Sequence, residues 1–245
     1  MASRPGRPFA VFDIDGTLIR WQLYHALADA LAERGYIDAK SYQAMREARL
    51  KWKRRSGSSF KDYEKSVIYI YETVLKALSF AQLDEAIDGV FEEYKDQVYT
   101  YTRDLIAKLK KKGYLLFAIS GSQTEIVAKV ADYYGFNDYA GTVYERVGKK
   151  FSGQKSTQTF LNKDKVLKAM IKKHDAKLEG SLAIGDSRGD AVMLEMVEEP
   201  IAFNPDAELY ELAKSNGWKI VLERKNMIYE LESQDGKYQL VKTNA

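Results

Sequence analysis

The chain has 245 residues, 45% of them hydrophobic and 30% charged, which suits one sizeable core plus an insertion or two modest domains. It holds no cysteine and two histidines, His25 and His174, so disulfides, thiolate catalysis and a Cys/His zinc site are excluded and chemistry falls to carboxylates, hydroxyls and lysines. A net charge of +3 is too slight to argue for nucleic acid, and no apolar run nears the roughly 18 residues of a membrane span; with no apolar centre in MASRPGRP to act as a secretory signal, a cytoplasmic protein is expected.

The first short apolar run, residues 9–14, reads as a buried strand and ends in Phe12-Asp13-Ile14-Asp15-Gly16-Thr17-Leu18. Two carboxylates there leave a hydrophobic strand and enter a glycine turn within three residues. Acids so close raise one another's pKa unless a cation lies between them, and an all-oxygen donor set favours Mg2+ over softer metals. A carboxylate can also attack phosphorus to give an acyl phosphate.

Residues 18–101 contain no convincing strand but have apolar residues at helical intervals, first Leu23, Leu27 and Leu31, then Tyr63, Val67, Ile70 and Val74. The stretch is too long for a crossover helix and reads as a small helical bundle inserted over the strand ends, where it should act as a lid.

The second run, 114–119, leads into Ile119-Ser120-Gly121-Ser122 and a helical series of Ile126, Val127, Val130 and Tyr134. A hydroxyl and flexible amides at a helix start favour an anion, although the same residues also serve as a plain helix cap. Residues 140–153, with aromatic and β-branched residues around a Gly-Lys-Lys turn, suggest a hairpin beside the sheet. Lys163 and Lys165 both stand before the series Val166, Leu167, Met170 and Ile171, and either offers the cation that a phosphoryl group in transfer requires.

The third run, 181–184, repeats the design of the first: an apolar strand delivers Gly185-Asp186-Ser187-Arg188-Gly189-Asp190. Asp186 is placed to bind a metal, and Asp190 either to support the site through a hydrogen bond or a water on the metal or to stand as a helix N-terminal acid favoured by the dipole. Runs at 201–203 and 218–222 complete the strand set, with Leu209, Leu212 and Ala213 on a helix between them. In MIYELESQDGKYQLV, Asp235-Gly236 separates two alternating runs and predicts a terminal hairpin that covers a sheet edge. Strand and helix alternation of this kind implies an α/β fold, a doubly wound Rossmann-like parallel sheet, whose ligands sit beyond the carboxyl ends of the strands, where Asp13, Ser120 and Asp186 fall.

At these residues the chain resembles the haloacid dehalogenase superfamily: DIDGT at Asp13, Ser120 after the second strand, a lysine near 163, and GDSRGD from Gly185 occur in the family's order. The helical insertion, AISGS and IAFNPDAEL are similar to the phosphoserine phosphatase-like subgroup with a helical cap. The resemblance implies a core of residues 1–19 and 102–245, a cap of residues 20–101, and a phosphatase of small phosphorylated metabolites. It also implies Asp13 as nucleophile, Asp15 as general acid and base, and Mg2+ held by Asp13, the Asp15 carbonyl and Asp186. Thr17, Ser120, the Gly121 amide and Lys163 would hold phosphoryl oxygens, Lys163 being preferred to Lys165 because family lysines precede a leucine by four, as here Leu167. The acid at Asp15 argues against the dehalogenase branch, where the halide leaves without protonation.

The subgroup's substrate-binding glutamate corresponds here to Gln22, and a neutral amide gives a bound ammonium far less than a carboxylate, which makes phosphoserine doubtful. The cap instead carries Arg46, Arg49, Lys51, Lys53, Arg54 and Arg55 around Trp52. Gln22, Arg54 and Arg55 are the substrate candidates, the basic run being either a solvated helix face or an attractor for an extra anionic group. Two other readings stay open: a phosphotransferase or mutase on the same core, and a noncatalytic binder of anions or nucleic acid. His25 and His174 are given no role.

Overall fold

In a computed structural model of the chain, the structure describes residues 6–54 and 60–244. Strand β1 (Pro8–Phe12) is followed by helices α1 (Leu23–Glu33), α2 (Ala39–Lys53), α3 (Phe60–Leu75), α4 (Phe80–Tyr94) and α5 (Thr100–Lys111). Then come β2 (Leu115–Gln123), α6 (Thr124–Tyr134), β3 (Asp138–Val147), β4 (Lys150–Thr157), α7 (Lys163–Lys173) and β5 (Lys177–Gly185). The chain continues through α8 (Ala191–Leu194), β6 (Glu199–Phe203), α9 (Ala207–Asn216), β7 (Lys219–Arg224), β8 (Met227–Gln234) and β9 (Lys237–Asn244). The chain divides into two compact units, one made of the segment up to Trp21 with Lys95–Thr142 and the segment from Gln158, the other of Gln22–Tyr94 and Val143–Thr157.

The first unit is an α/β sheet in the order β3-β2-β1-β5-β6-β7-β8-β9, parallel from β3 through β7. The five apolar runs of the sequence all lie on its parallel strands, because a strand covered on both faces reads as a continuous apolar stretch. Phe9 on β1 stacks on Phe117 of β2 at 5.6 Å between ring centroids, and both are fully buried. Each such ring contributes about 1.5–3 kcal/mol through burial. Adjacent parallel strands in register bring residues 13 and 186, just beyond the carboxyl ends of β1 and β5, to one rim with residue 120, which lies inside β2 rather than after it because the strand runs on irregularly past Ile119.

Two antiparallel strands continue that sheet. Asp235 and Gly236 both take positive φ, 49° and 75°, in the two-residue turn between β8 and β9, the conformation that a type I′ hairpin needs. β8 pairs with β7 and so covers its edge, leaving β9 outermost.

The second unit packs α1 through Leu23, Leu27 and Leu31 and α3 through Tyr63, Val67, Tyr71 and Leu75, all fully buried. Ile70 and Val74, expected in the buried row of α3, are half-buried. The row follows steps of four that include the aromatic Tyr71, which packs on Tyr24 at 4.6 Å. Arg49 ties α2 to its neighbours, donating from Nη2 to both Asp29 oxygens at 2.9 and 2.8 Å and from Nε to the Tyr63 hydroxyl at 2.6 Å.

The bounds of this unit differ from the 20–101 of the sequence reading. Residues 95–99 lie on the loop that follows β1, with Arg20 N donating to Gln97 O at 2.8 Å and Tyr99 N to Leu18 O at 3.0 Å, so they belong to the sheet unit. The hairpin expected at 140–153 runs over β3 and β4 and is more than an ornament beside the sheet. The start of β3 extends the parallel sheet on β2, with Ile119 opposite Ala140, whereas its outer half and β4 join the helices, where Phe80 meets Phe151 edge-on at 5.0 Å. Among the described residues no helix is long and apolar enough to cross a membrane.

Candidate active site

The loop after β1 is closed on itself. Leu18 N and Ile19 N both donate to Ile14 O at 2.9 Å, and Gly16, at φ 80°, donates to Ile19 O at 3.0 Å, a turn that a residue with a Cβ enters only under strain. This ring of bonds holds Asp13, Asp15 and Thr17, all buried, in fixed positions. Asp13 N also donates to Ile184 O at 3.0 Å, which locks the loop to the end of β5.

Lys163, the first residue of α7 and 3% exposed, reaches back into the acids. Its Nζ donates to Asp13 Oδ1 at 2.6 Å and to Asp190 Oδ1 at 2.5 Å. Burial alone would lower the ammonium's pKa, but the two carboxylates outweigh it and hold the pKa above its ordinary value, so Lys163 is a fixed cation. Lys165, two residues on along the same helix, is exposed.

Asp190 organises the turn after β5. Its Oδ2 accepts from Asp186 N at 3.1 Å, Ser187 N at 2.9 Å and Ser187 Oγ at 3.0 Å, so both of its oxygens are engaged. Gly185 is required by that arrangement, since a Cβ there would stand 2.4 Å from the Asp190 Cβ. Asp206 braces the same loop, its amide donating to Asp186 O at 2.8 Å and its Oδ2 accepting from Arg188 N at 3.2 Å.

One oxygen from each of Asp13, Asp186 and Asp190 lies within 4.8 Å of the others. Burial, then the Asp190 and Asp15 charges, push the Asp13 carboxyl up to about 8 against the pull of Lys163. Burial and the Asp13 and Asp190 charges likewise raise Asp186 well above the usual carboxylate range. The cluster is therefore short of positive charge, and its donors are all oxygen.

Ser120, fully buried within β2, donates to Asp15 Oδ2 at 2.5 Å and accepts from Ser122 N at 2.9 Å. Thr142 Oγ1 donates to Gly121 O at 2.7 Å, fixing the peptide that follows Ser120. Thr17 Oγ1 lies 3.5 Å from Asp186 Oδ1. The site residues expected from the sheet unit thus converge: direct contacts join Asp13, Lys163, Asp190, Asp186 and Thr17, a second contact joins Ser120 to Asp15, and the Asp15 charge acts on Asp13.

A family model described as haloacid dehalogenase-like hydrolase matches residues 10–195. The chain belongs to the haloacid dehalogenase-like hydrolases. This member is 26% identical over 218 residues to a phosphoserine phosphatase of Mycobacterium tuberculosis, covering 86% of this chain and 69% of that protein. It is also 26% identical over 225 residues to a histidinol-phosphatase of Neisseria meningitidis, covering 86% and 97%. Among solved structures, a Bordetella pertussis protein of unknown function superposes with a TM-score of 0.71 at 22% identity, covering 88% of this chain and 98% of that one. A phospho-aspartyl intermediate analogue of phosphoserine phosphatase superposes with a TM-score of 0.62 at 19% identity, covering 90% and 95%, and so shares the fold.

Gln22, half-buried, precedes α1; Arg54 is exposed at the end of α2; Arg55 lies outside the described residues. Arg49 is committed to Asp29 and Tyr63 and takes no part in an open basic face. Two residues that sequence reasoning did not single out matter here, Asp206 and Thr142. Asp206 had a signal, since Asn-Pro-Asp before a helical run marks an N-cap, and its Oδ1 does accept from Leu209 N at 2.7 Å.

Proposed function

We propose that this hydrolase is a Mg2+-dependent phosphomonoesterase of small metabolites that works through an aspartyl-phosphate on Asp13. The observation that carries the reading is the buried ammonium of Lys163 set between Asp13 and Asp190, beside Asp186, at the rim where the parallel strands end. The oxygen-only, charge-deficient set of Asp13 and Asp186 fits a hard divalent ion, with the Asp15 carbonyl as a third donor. Such an ion supplies charge neutralisation for the phosphoryl oxygens when bound.

In the first step a carboxylate oxygen of Asp13 attacks phosphorus and the ester P–O bond breaks, while Asp15 gives its proton to the departing alcohol oxygen. In the second, Asp15 takes a proton from water, whose oxygen attacks the same phosphorus, and inorganic phosphate leaves as Asp13 is restored. Lys163, Thr17, Ser120 and the Gly121 amide hold the phosphoryl oxygens, and Asp190 keeps Lys163 and the Asp186 loop in place. The Ser120 bond to Asp15 sets the orientation of that acid before substrate arrives. The helical insertion is read as the cap that discriminates among substrates.

The two curated relatives act, by their names, on phosphoserine and on histidinol phosphate. Both substrates carry an ammonium, which the neutral amide of Gln22 serves far less well than a carboxylate would, so Gln22 speaks against phosphoserine without favouring histidinol phosphate. Asp13→Asn is expected to abolish Mg2+-dependent hydrolysis of an aryl phosphate, a loss of at least about 1,000-fold in kcat, with the circular dichroism spectrum unchanged. Full activity in that variant would refute the nucleophile assignment. Appearance of phosphate on an added sugar acceptor rather than in solution would favour the phosphotransferase reading instead.

A further inference from the structure

Beside the acids, on the same unit, the turn Thr159–Leu161 presents two apolar side chains to solvent, Phe160 at 54% exposure and Leu161 at 67%. The turn itself is rigidly held. Thr159, fully buried, donates from Oγ1 to Gly141 O at 2.7 Å, and Asn162 Nδ2 donates to Gln158 O at 3.0 Å. Immediately afterwards comes Lys163, whose ammonium is fixed on Asp13 and Asp190.

The Phe160 ring has a definite seat. A Cβ on Gly189 would lie 2.8 Å from Phe160 Cε2, and one on Gly121 would lie 3.5 Å from Phe160 Cβ. Gly121 directly follows Ser120 and Gly189 directly precedes Asp190, so one edge of the ring rests in a slot between two site loops while the remainder stays open. Packing against two glycines does not call for an aromatic residue. A rigid ring that keeps an open face beside a phosphate-processing centre offers contact area at small entropic cost.

We infer that Phe160 is a specificity-determining residue whose open ring face receives an apolar or planar leaving group, so that esters of aromatic or bulky apolar alcohols are preferred over those of small polar ones. The inference rests on the phosphatase reading and deepens it. It assigns to the sheet unit a share of substrate choice that the sequence pattern placed wholly in the helical insertion.

The test uses non-hydrolysable probes, so that it does not depend on turnover. Isothermal titration calorimetry on the full chain in excess Mg2+ compares phenylphosphonate with methylphosphonate. The wild type is expected to favour the phenyl compound about tenfold, and the ratio is expected to fall to about two in Phe160→Ala while Phe160→Tyr keeps it. Phe160→Leu, which preserves the packing on the two glycines and removes the planar face, guards against misfolding of the alanine variant and is expected to lose most of the preference. Equal affinities in the wild type, no binding of either probe, or a ratio that survives in both Phe160→Ala and Phe160→Leu would overturn the inference. Phenyl phosphate hydrolysis measured in parallel separates the two readings: preference without turnover sinks the phosphatase, and turnover without preference sinks only the role of Phe160.

Discussion

Lys163 and Lys165 show how much a single residue's role depends on helix geometry. Both precede the same apolar series, and spacing alone leaves either able to supply the cation. Two residues along an α-helix turn the side chain by about 200°, so only one of the pair can face the sheet. Lys163 does, meeting Asp13 150 positions away, whereas Lys165 is exposed. The acids were legible because glycine turns after apolar strands are local signals; Phe160 was not, since an isolated aromatic in a polar stretch has no period to mark it. Lys163→Ala leaves two buried carboxylates without their shared partner and is expected to cost about 3–5 kcal/mol, read as a lowered urea midpoint, while Lys165→Ala stays within about 0.5 kcal/mol of wild type.

Within the helical unit, α1 and α3 meet around a buried imidazole. His25 is 1% exposed, lies 4.6 Å from the Tyr63 ring, and has its pKa lowered to about 3 by burial and then by the Arg49 charge. The unfolded chain takes up a proton on this histidine near pH 6.5 and the folded chain does not until about pH 3. Between those values stability falls as pH falls, with a slope of up to about 1.4 kcal/mol per pH unit from this group. Thermal melts followed by circular dichroism from pH 7.5 to 5 should show that decline, and His25→Phe should flatten it. The helical spacing of Leu23, Leu27 and Leu31 disclosed the buried stripe of α1, yet it could not reveal that a histidine packs beside it, because an imidazole at an interior position carries no sequence mark of its own. Equally hidden was the division of labour within β3, whose first residues pair with β2 and whose later Arg146 lies over the Phe80 ring, since a strand's alternation says nothing of which partner it meets.

Across the molecule, the parallel core could be read almost strand by strand, because burial on both faces writes itself into composition. The order β3-β2-β1-β5-β6-β7 could not, as strand order is set by crossover handedness and by helix packing rather than by any local pattern. The C-terminal hairpin was recognisable from Asp235-Gly236, and its docking follows from Tyr238, whose hydroxyl lies 2.8 Å from Ala213 O and 2.6 Å from Trp218 O and shares its one proton between them. Ending the chain at Arg224 removes those bonds and bares β7 as an edge. Static light scattering is expected to show concentration-dependent association of that truncated chain, where the full chain gives a constant mass over the same range.

The saturation of Asp190 has a bearing on how this protein must be handled. Its oxygens already serve Lys163 and the loop amides, so on the proposed reading Asp13 and Asp186 would be the side chains that hold Mg2+. Two carboxylates and a carbonyl would hold such an ion only lightly. On the proposed reading the ion would exchange readily, so dialysis against a chelator is expected to remove the hydrolytic activity and added Mg2+ to restore it.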